Sequence, residues 1–317
     1  MSNLPDVQSE KPKILLSLDE VGVTGLVKRV RIVKGGSEIF LTPKISAFIN
    51  LPAWQRGVHL SRSSETIESV VEDIAYSPVR SFEELCRKML TVLLEKHDYA
   101  DRARVLLEGL VVLDVRAGES EVKRQKAYNV RVEGVASRSR EGIETRVFLG
   151  VEVEGIIACP CAQELIRNYA ESMIKSRAEE LSLDEPVIHK ILDLVPLASH
   201  SQRCKGALIV EVKDNSVDLF ELIRVVEDSM SGTIYDVLKR PDEASLVRLV
   251  HLNPLFVEDV ARLIILNALT RLKQLSDDDV LEVRVESMES VHPHNAVAFR
   301  RAKVGELKKE LQAGCVD

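Results

Sequence analysis

Several groups of polar residues in this chain have types and spacing that chemistry can use. Cys159-Pro160-Cys161 puts two thiols two residues apart, at the expected end of a strand and ahead of a helical segment. Residues i and i+2 of a strand face one side, so both thiols can enter one pocket. A helix N-terminus just after them favours thiolate. The bland alternative is a pair of small buried hydrophobes, and C-x-C is a weaker metal signal than paired C-x-x-C motifs. His200-Ser201-Gln202-Arg203 follows, just before an apolar strand. A cysteine, a histidine and a carboxylate would give three mixed ligands and leave a fourth position for water, which is the catalytic arrangement of a metal rather than the structural one.

The carboxylate candidates are Glu243 in Lys239-Arg240-Pro241-Asp242-Glu243 and Glu258 in Phe256-Val257-Glu258-Asp259. Taken alone, Glu258 at a helix start reads as a favourable dipole contact. Lys239 and Arg240 read as a solvated basic pair or a phosphate contact. Glu289-Ser290-Val291-His292-Pro293-His294 joins a carboxylate to two histidines in a loop between strands, either an acid/base cluster or a turn with incidental histidines. The first half offers mainly His59-Leu60-Ser61-Arg62, so the second half is expected to carry most of the chemistry.

These residues need elements to hold them. Val21–Lys34 and Ser37–Leu51 are rich in β-branched, partly alternating residues, and Gly35-Gly36 between them predicts a hairpin. Helical spacing runs over Ser64–Ala75 and Ser81–Lys96, the second opening on a capping-box pattern of Ser81 and Glu84. Arg104–Val115 and Val122–Val135 read as a strand pair. The first half is therefore β-β-α-α-β-β. The second repeats the order: strands at Glu144–Ile157 and Ala207–Val212, helices at Asp218–Met230 and Val257–Leu275, and strands at Val280–Glu286 and Ala296–Arg301. A mostly helical segment, Cys161–Leu194, is inserted between its first two strands. The expected fold class is α+β, with antiparallel sheets and helices on one face. The expected units are residues 1–138 and 139–317, with a helical insertion at 162–194. Unpaired sheet edges favour assembly into closed barrels.

Composition removes several answers. The chain has 317 residues and a formal net charge of −7, with 45% hydrophobic and 4% aromatic residues. The acidic balance and scarce aromatics argue against nucleic acid as a partner. No apolar run reaches the roughly 18–20 residues of a membrane span, and the N-terminus lacks a signal core. No membrane partner and a cytoplasmic location are expected. Five cysteines, an odd number at irregular spacing, argue against a disulfide framework. Cys86, Cys204 and Cys315 are expected to be bystanders.

In this order the motifs resemble the type IB GTP cyclohydrolases. Leu4-Pro5-Asp6-Val7-Gln8 and Gly57-Val58-His59-Leu60-Ser61-Arg62 match as well, so the resemblance runs from residue 4 to about residue 300. The long segment between Cys161 and His200 is similar to the archaeal branch, since bacterial members join these motifs by a short loop. Ser201 stands where the family commonly has Asn, and the run at 292–295 departs from the bacterial His-Asn-His-Ser.

The resemblance implies a tunnelling fold, with two tandem units per chain assembled into barrels in a homotetramer. It implies iron(II) (Fe2+), with Zn2+ or Mn2+ as possible substitutes, bound by Cys159, His200 and Glu243. It assigns Cys161, Glu289 and His292 to catalysis alongside Cys159, and Glu258 to the guanine edge. His59, Arg62, Arg203, Lys239 and Arg240 complete the substrate-binding candidates, the four cations as phosphate contacts. The implied reaction opens the imidazole ring of GTP: a polarised water attacks C8 while His292 protonates N7, and C8 leaves as formate. In the archaeal version diphosphate also leaves, giving 7,8-dihydroneopterin 2′,3′-cyclic phosphate for methanopterin biosynthesis. The rival product is 7,8-dihydroneopterin triphosphate. A non-catalytic purine- or pterin-binding protein and a structural metal site are the other readings.

Overall fold

The computed structural model describes residues 7–34, 37–76, 80–117, 122–213 and 217–314. After a 3-10 turn at Val7–Ser9, the chain forms β1 (Leu18–Val27), β2 (Val30–Lys34), β3 (Ser37–Leu41) and β4 (Lys44–Leu51). The two long strands expected here are thus each broken once. Pro43 lacks an N–H to donate, so the ladder cannot run through it. Its carbonyl accepts from Lys28 N at 3.3 Å, at the break in the facing strand. β2 and β3 pair antiparallel with Lys34 opposite Ser37, which is hairpin register. Gly35 and Gly36 themselves lie outside the described residues.

Two helices follow, α1 (Leu60–Tyr76) and α2 (Phe82–Lys96), then β5 (Arg102–Ala117) and β6 (Val122–Ser139). Ser81 caps α2, its side chain accepting from Glu84 N at 3.2 Å. The Glu84 carboxylate turns one residue further back than a capping box requires and accepts from Arg80 N at 2.9 Å. The chain continues through β7 (Gly142–Ala158), α3 (Pro160–Lys175), α4 (Ala178–Leu181), α5 (Glu185–Leu194) and β8 (Ser201–Val212). It closes with α6 (Leu219–Glu227), β9 (Gly232–Thr233), α7 (Arg240–Leu252), α8 (Val257–Arg271), β10 (Val280–Ser287), β11 (Ala296–Lys303) and α9 (Val304–Gly314). The doubled β-β-α-α-β-β order is present, with α3–α5 as the insertion. The boundary expected at 138/139 falls at the end of β6, beside the turn at Arg140 and Glu141. Two helices beyond the expected order, α7 and α9, are present as well. Hydrogen-bonded strands follow the order β1-β4-β5-β6-β7-β8-β10-β11, with β9 paired to β7 and β2-β3 forming a separate sheet.

The chain divides into two compact units: 1–111, 129–150 and 209–218 in the first, and 112–128, 151–208 and 219–317 in the second. In the first, Leu85, Met89, Leu90 and Leu93 of α2 are fully buried, as are Ile45, Ile49 and Val105 of the sheet. Burying each such side chain contributes roughly 1.5–3 kcal/mol against chain entropy. A Cβ on Gly134 would stand 2.6 Å from both Cys86 Sγ and Leu90 Cδ1, so a glycine lets α2 lie directly on β6. The second unit repeats the device. Its core joins Leu222 and Val226 of α6, Val260 and Ile264 of α8, and Leu281, Val283 and Val285 of β10. A Cβ on Gly206 would meet Val226 Cγ1 at 2.7 Å, which sets α6 close on β8. Among the described residues no helix is long and apolar enough to cross a membrane.

Candidate active site

β7 ends at Ala158, so Cys159 is the N-cap of α3 rather than a strand residue, with φ −74° and ψ 117°. Pro160 begins the helix, where its missing N–H is no loss, and Cys159 Sγ accepts from Ala162 N at 3.5 Å. Cys161 therefore sits exposed in the first helical turn. The two thiols are joined by a cap and not by strand periodicity. An anionic donor is favoured at such a helix start.

Backbone contacts bring His200 to this cap. Cys159 N donates to His200 O at 3.0 Å, and Ser199 Oγ donates to Cys159 O at 2.6 Å. Leu255 N donates to Ala158 O at 3.0 Å, which holds the approach to α8, and hence Glu258, beside the same corner. Gln163, one turn into α3, donates from Nε2 to Leu197 O at 3.0 Å and His251 O at 2.6 Å. It thereby ties α3 to the end of α7. His200 is followed by β8, whose alternation turns Gln202 and Cys204 inward and leaves Ser201 and Arg203 exposed.

Glu243 lies in the first turn of α7, whose N-terminus also carries Lys239 and Arg240, all three exposed. One face of this helix borders a cavity of about 650 Å³, lined by Arg240, Glu243, Arg248 and His251 on the helix and by Leu197 and Ala198 opposite. Cys159, His200 and Glu243 offer a thiolate, an imidazole and a carboxylate, a set suited to a borderline divalent ion. Their ligand atoms are not all within 4.8 Å of one another. Among the described residues the grouping that meets this distance is Glu171, Glu185 and His189 in the insertion. There Lys175 Nζ already reaches Glu171 at 2.8 Å and Glu185 at 2.5 Å, so an ammonium supplies the positive charge.

Glu289 follows β10 and is half-buried. Ser287 Oγ donates to its Oε1 at 2.7 Å, and Gln202 Nε2 lies 3.3 Å from the same oxygen. The rings of His292 and His294 stack at 5.2 Å in the exposed loop beyond. Glu258 is exposed in the first turn of α8, and Arg203 stands 3.9 Å from Glu154. Cys86 and Cys204 are fully buried. Burial pushes both thiols up, that of Cys204 to about 12 with the nearby Glu289 charge adding to the effect, so neither is a ready nucleophile. Cys315 lies outside the described residues.

His59 and Arg62 belong to the first unit. The peptides before them are held by the N-terminal segment, Gly57 N donating to Gln8 O at 3.0 Å and Arg56 N to Glu10 O at 3.1 Å. Two motifs far apart in sequence are thus adjacent. His59 N donates to Tyr99 OH at 3.3 Å, which is 2.8 Å from Nδ1 of the buried His97, while His97 Nε2 lies 3.1 Å from Ser63 Oγ. Burial, then the charges of Arg62 and His59, hold the His97 pKa down at about 4.

The supporting residues Gln163, Gln202, Ser287, Asp242, His97 and Tyr99 carry no assignment from sequence spacing. Of these, Gln202 and Asp242 lie inside the quoted motifs, and the Pro241-Asp242 pair is a readable helix-start signal.

A model of the family described as type I GTP cyclohydrolase folE2 matches residues 4–298. The chain is 37% identical over 311 residues to GTP cyclohydrolase MptA of Methanothermobacter thermautotrophicus, covering 97% of this chain and 96% of that protein. It is 39% identical over 311 residues to GTP cyclohydrolase MptA of Methanococcus vannielii, covering 97% and 98%. Among solved structures, the uricase from Bacillus fastidious aligns over 92% of this chain and 96% of its own, at TM-score 0.51 and 10% identity. That likeness shows the fold alone, the tunnelling fold.

Proposed function

The chain belongs to the type I GTP cyclohydrolase family, and from that premise we propose how its residues divide the hydrolysis of GTP. The supporting observation is the backbone frame that joins Cys159 to His200 at the start of α3. Cys159, His200 and Glu243 would hold a divalent ion, iron(II) in this reading, which when bound supplies the Lewis acidity that lowers the pKa of water toward about 7.

The chain's own groups do the rest. The Glu258 carboxylate accepts from N1–H and the exocyclic amine of guanine, two donors that adenine does not present together. Adenine would leave that carboxylate unpaired, which discriminates against it. His292 donates a proton to N7 as water adds at C8, and Glu289 and Cys161 serve proton transfer beside it. A second hydrolysis releases C8 as formate. Arg203, Lys239 and Arg240 meet the phosphates, with His59 and Arg62 as further substrate contacts. The ribose carbons then rearrange and close onto the freed diamine, and a hydroxyl of the pterin side chain displaces diphosphate from the α-phosphorus. The product is thus 7,8-dihydroneopterin 2′,3′-cyclic phosphate, made in the cytoplasm for methanopterin biosynthesis by a homotetramer closed through its sheet edges.

Anaerobic incubation with iron(II) and GTP tests this. Formate release, with a cyclic phosphate signal and free diphosphate in the phosphorus NMR spectrum, is expected. A triphosphate product would replace the product assignment, and absence of formate would overturn the catalytic reading.

A further inference from the structure

Gln202 lies between two groups that the proposed reaction uses, and its amide has one workable orientation. The residue is only 9% exposed. Its Oε1 is 2.9 Å from His200 Nδ1. Its Nε2 is 3.3 and 3.4 Å from the two oxygens of the Glu289 carboxylate and 3.3 Å from Ser287 Oγ. A carboxylate only accepts. A flipped amide would set its carbonyl oxygen against both Glu289 oxygens, so the NH2 must face Glu289. The carbonyl then faces His200 and, being an acceptor, requires the ring proton on Nδ1. His200 Nε2 is left as the nitrogen with a free lone pair.

We infer that Gln202 is a positioning residue that fixes the tautomer of His200 for metal binding and takes its own orientation from Glu289. The inference rests on the reading of His200 as a metal ligand. A metal-bound histidine is generally oriented by an acceptor on its other nitrogen, and loss of that partner weakens metal binding by about 10–100-fold. Here the acceptor is a neutral amide, itself fixed by a carboxylate just beyond the end of the neighbouring strand β10. Ser287, fully buried, donates to Glu289 Oε1 at 2.7 Å and keeps that carboxylate facing the amide. A proton-transfer group and a ligand are thereby joined through two hydrogen bonds.

The test measures iron(II) affinity of the full-length protein by anaerobic competition with a chromogenic chelator, alongside thermal unfolding and formate release. Gln202→Met keeps the side chain's length without its hydrogen bonds. It is expected to unfold within a few degrees of the wild type and to bind iron about 10–100-fold more weakly. Gln202→Glu keeps an acceptor for His200 but faces Glu289 with a like charge. It should hold iron within about threefold of the wild type and lose at least about tenfold in turnover. If His200→Ala weakens iron binding while Gln202→Met does not, the inference falls and the ligand reading stands. If His200→Ala binds iron as the wild type does, both fall. Should Gln202→Met fail to fold, loss of iron affinity in Gln202→Glu would by itself overturn the inference.

Discussion

Arg124 and Asp242 form a buried ion pair: Nη2 of one lies 2.9 Å from Oδ2 of the other, with the side chains 5% and 1% exposed. The same Asp242 oxygen accepts from Lys239 N at 3.3 Å and so caps α7, the helix that carries Glu243. The Arg124 guanidinium also lies 5.5 Å from the Tyr235 ring centroid. Removing either partner leaves a buried charge uncompensated, which costs about 3–5 kcal/mol. Arg124→Met and Asp242→Leu should each lower the urea midpoint by that equivalent, and the double variant Arg124→Met/Asp242→Leu by less than the sum. Single variants that unfold at the wild-type midpoint would contradict the role of the pair.

Cys159→Ala, His200→Ala and Glu243→Gln are expected to abolish bound iron and turnover while leaving the assembly intact on size-exclusion chromatography. The expectation follows from scaffolding that is mostly backbone: Cys159 N to His200 O, and Ser199 to Cys159 O. Collapse of the assembly in these variants would point instead to a structural metal. Cys161→Ala, exposed in the first turn of α3, should keep iron and lose turnover.

Glu258→Gln replaces one acceptor oxygen with an NH2 that opposes the guanine donors. Loss of a charged hydrogen bond and one unpaired donor should lower kcat/KM for GTP by about 10²-fold. Because Glu258 is exposed and its neighbours Val257 and Val260 hold α8 in the core, the melting temperature should stay unchanged. An undiminished kcat/KM would remove Glu258 from guanine recognition.

His97 gives the first unit a pH dependence. Its folded pKa of about 4 lies below the ordinary value of 6.5, because burial comes first among its causes and the Arg62 and His59 charges add to it; Asp98 opposes them. The unfolded chain therefore binds more protons between those values, and stability falls as pH drops from about 6.5 to about 4. The contribution, on the order of 3 kcal/mol, is complete above the upper value. Melting temperatures across this range should fall in the wild type and fall less in His97→Gln. Equal slopes would place the dependence elsewhere.

Strands and helices with strong periodicity were legible. The Ser81 cap and the Leu85–Leu93 stripe of α2 announced themselves because local spacing and burial agree there. The break at Lys28 was not legible, since its cause, Pro43, lies in the facing segment between β3 and β4. The start of α7 was marked by Pro241-Asp242, but the burial of Asp242 was not legible, because its partner Arg124 lies far away in sequence. The site residues themselves came from motif order. Their supports, Gln202 toward Glu289 and Leu255 toward Ala158, depend on pairings that no local pattern contains.

Cys159 is held by its peptide group on both sides, its N–H on His200 and its carbonyl under Ser199. None of these bonds involves the sulfur. In the proposed metal site the sulfur, whose contact in the structure is the 3.5 Å bond from Ala162 N, would be a replaceable fitting on a fixed mount. On the proposed ligand set, exchanging the thiol for a carboxylate or an imidazole would change which ion is preferred, from a softer toward a harder one, while the backbone bonds at the corner between β7 and α3 are kept. If the proposed ligands hold, metal preference would drift by single substitutions, independently of the fold that presents them.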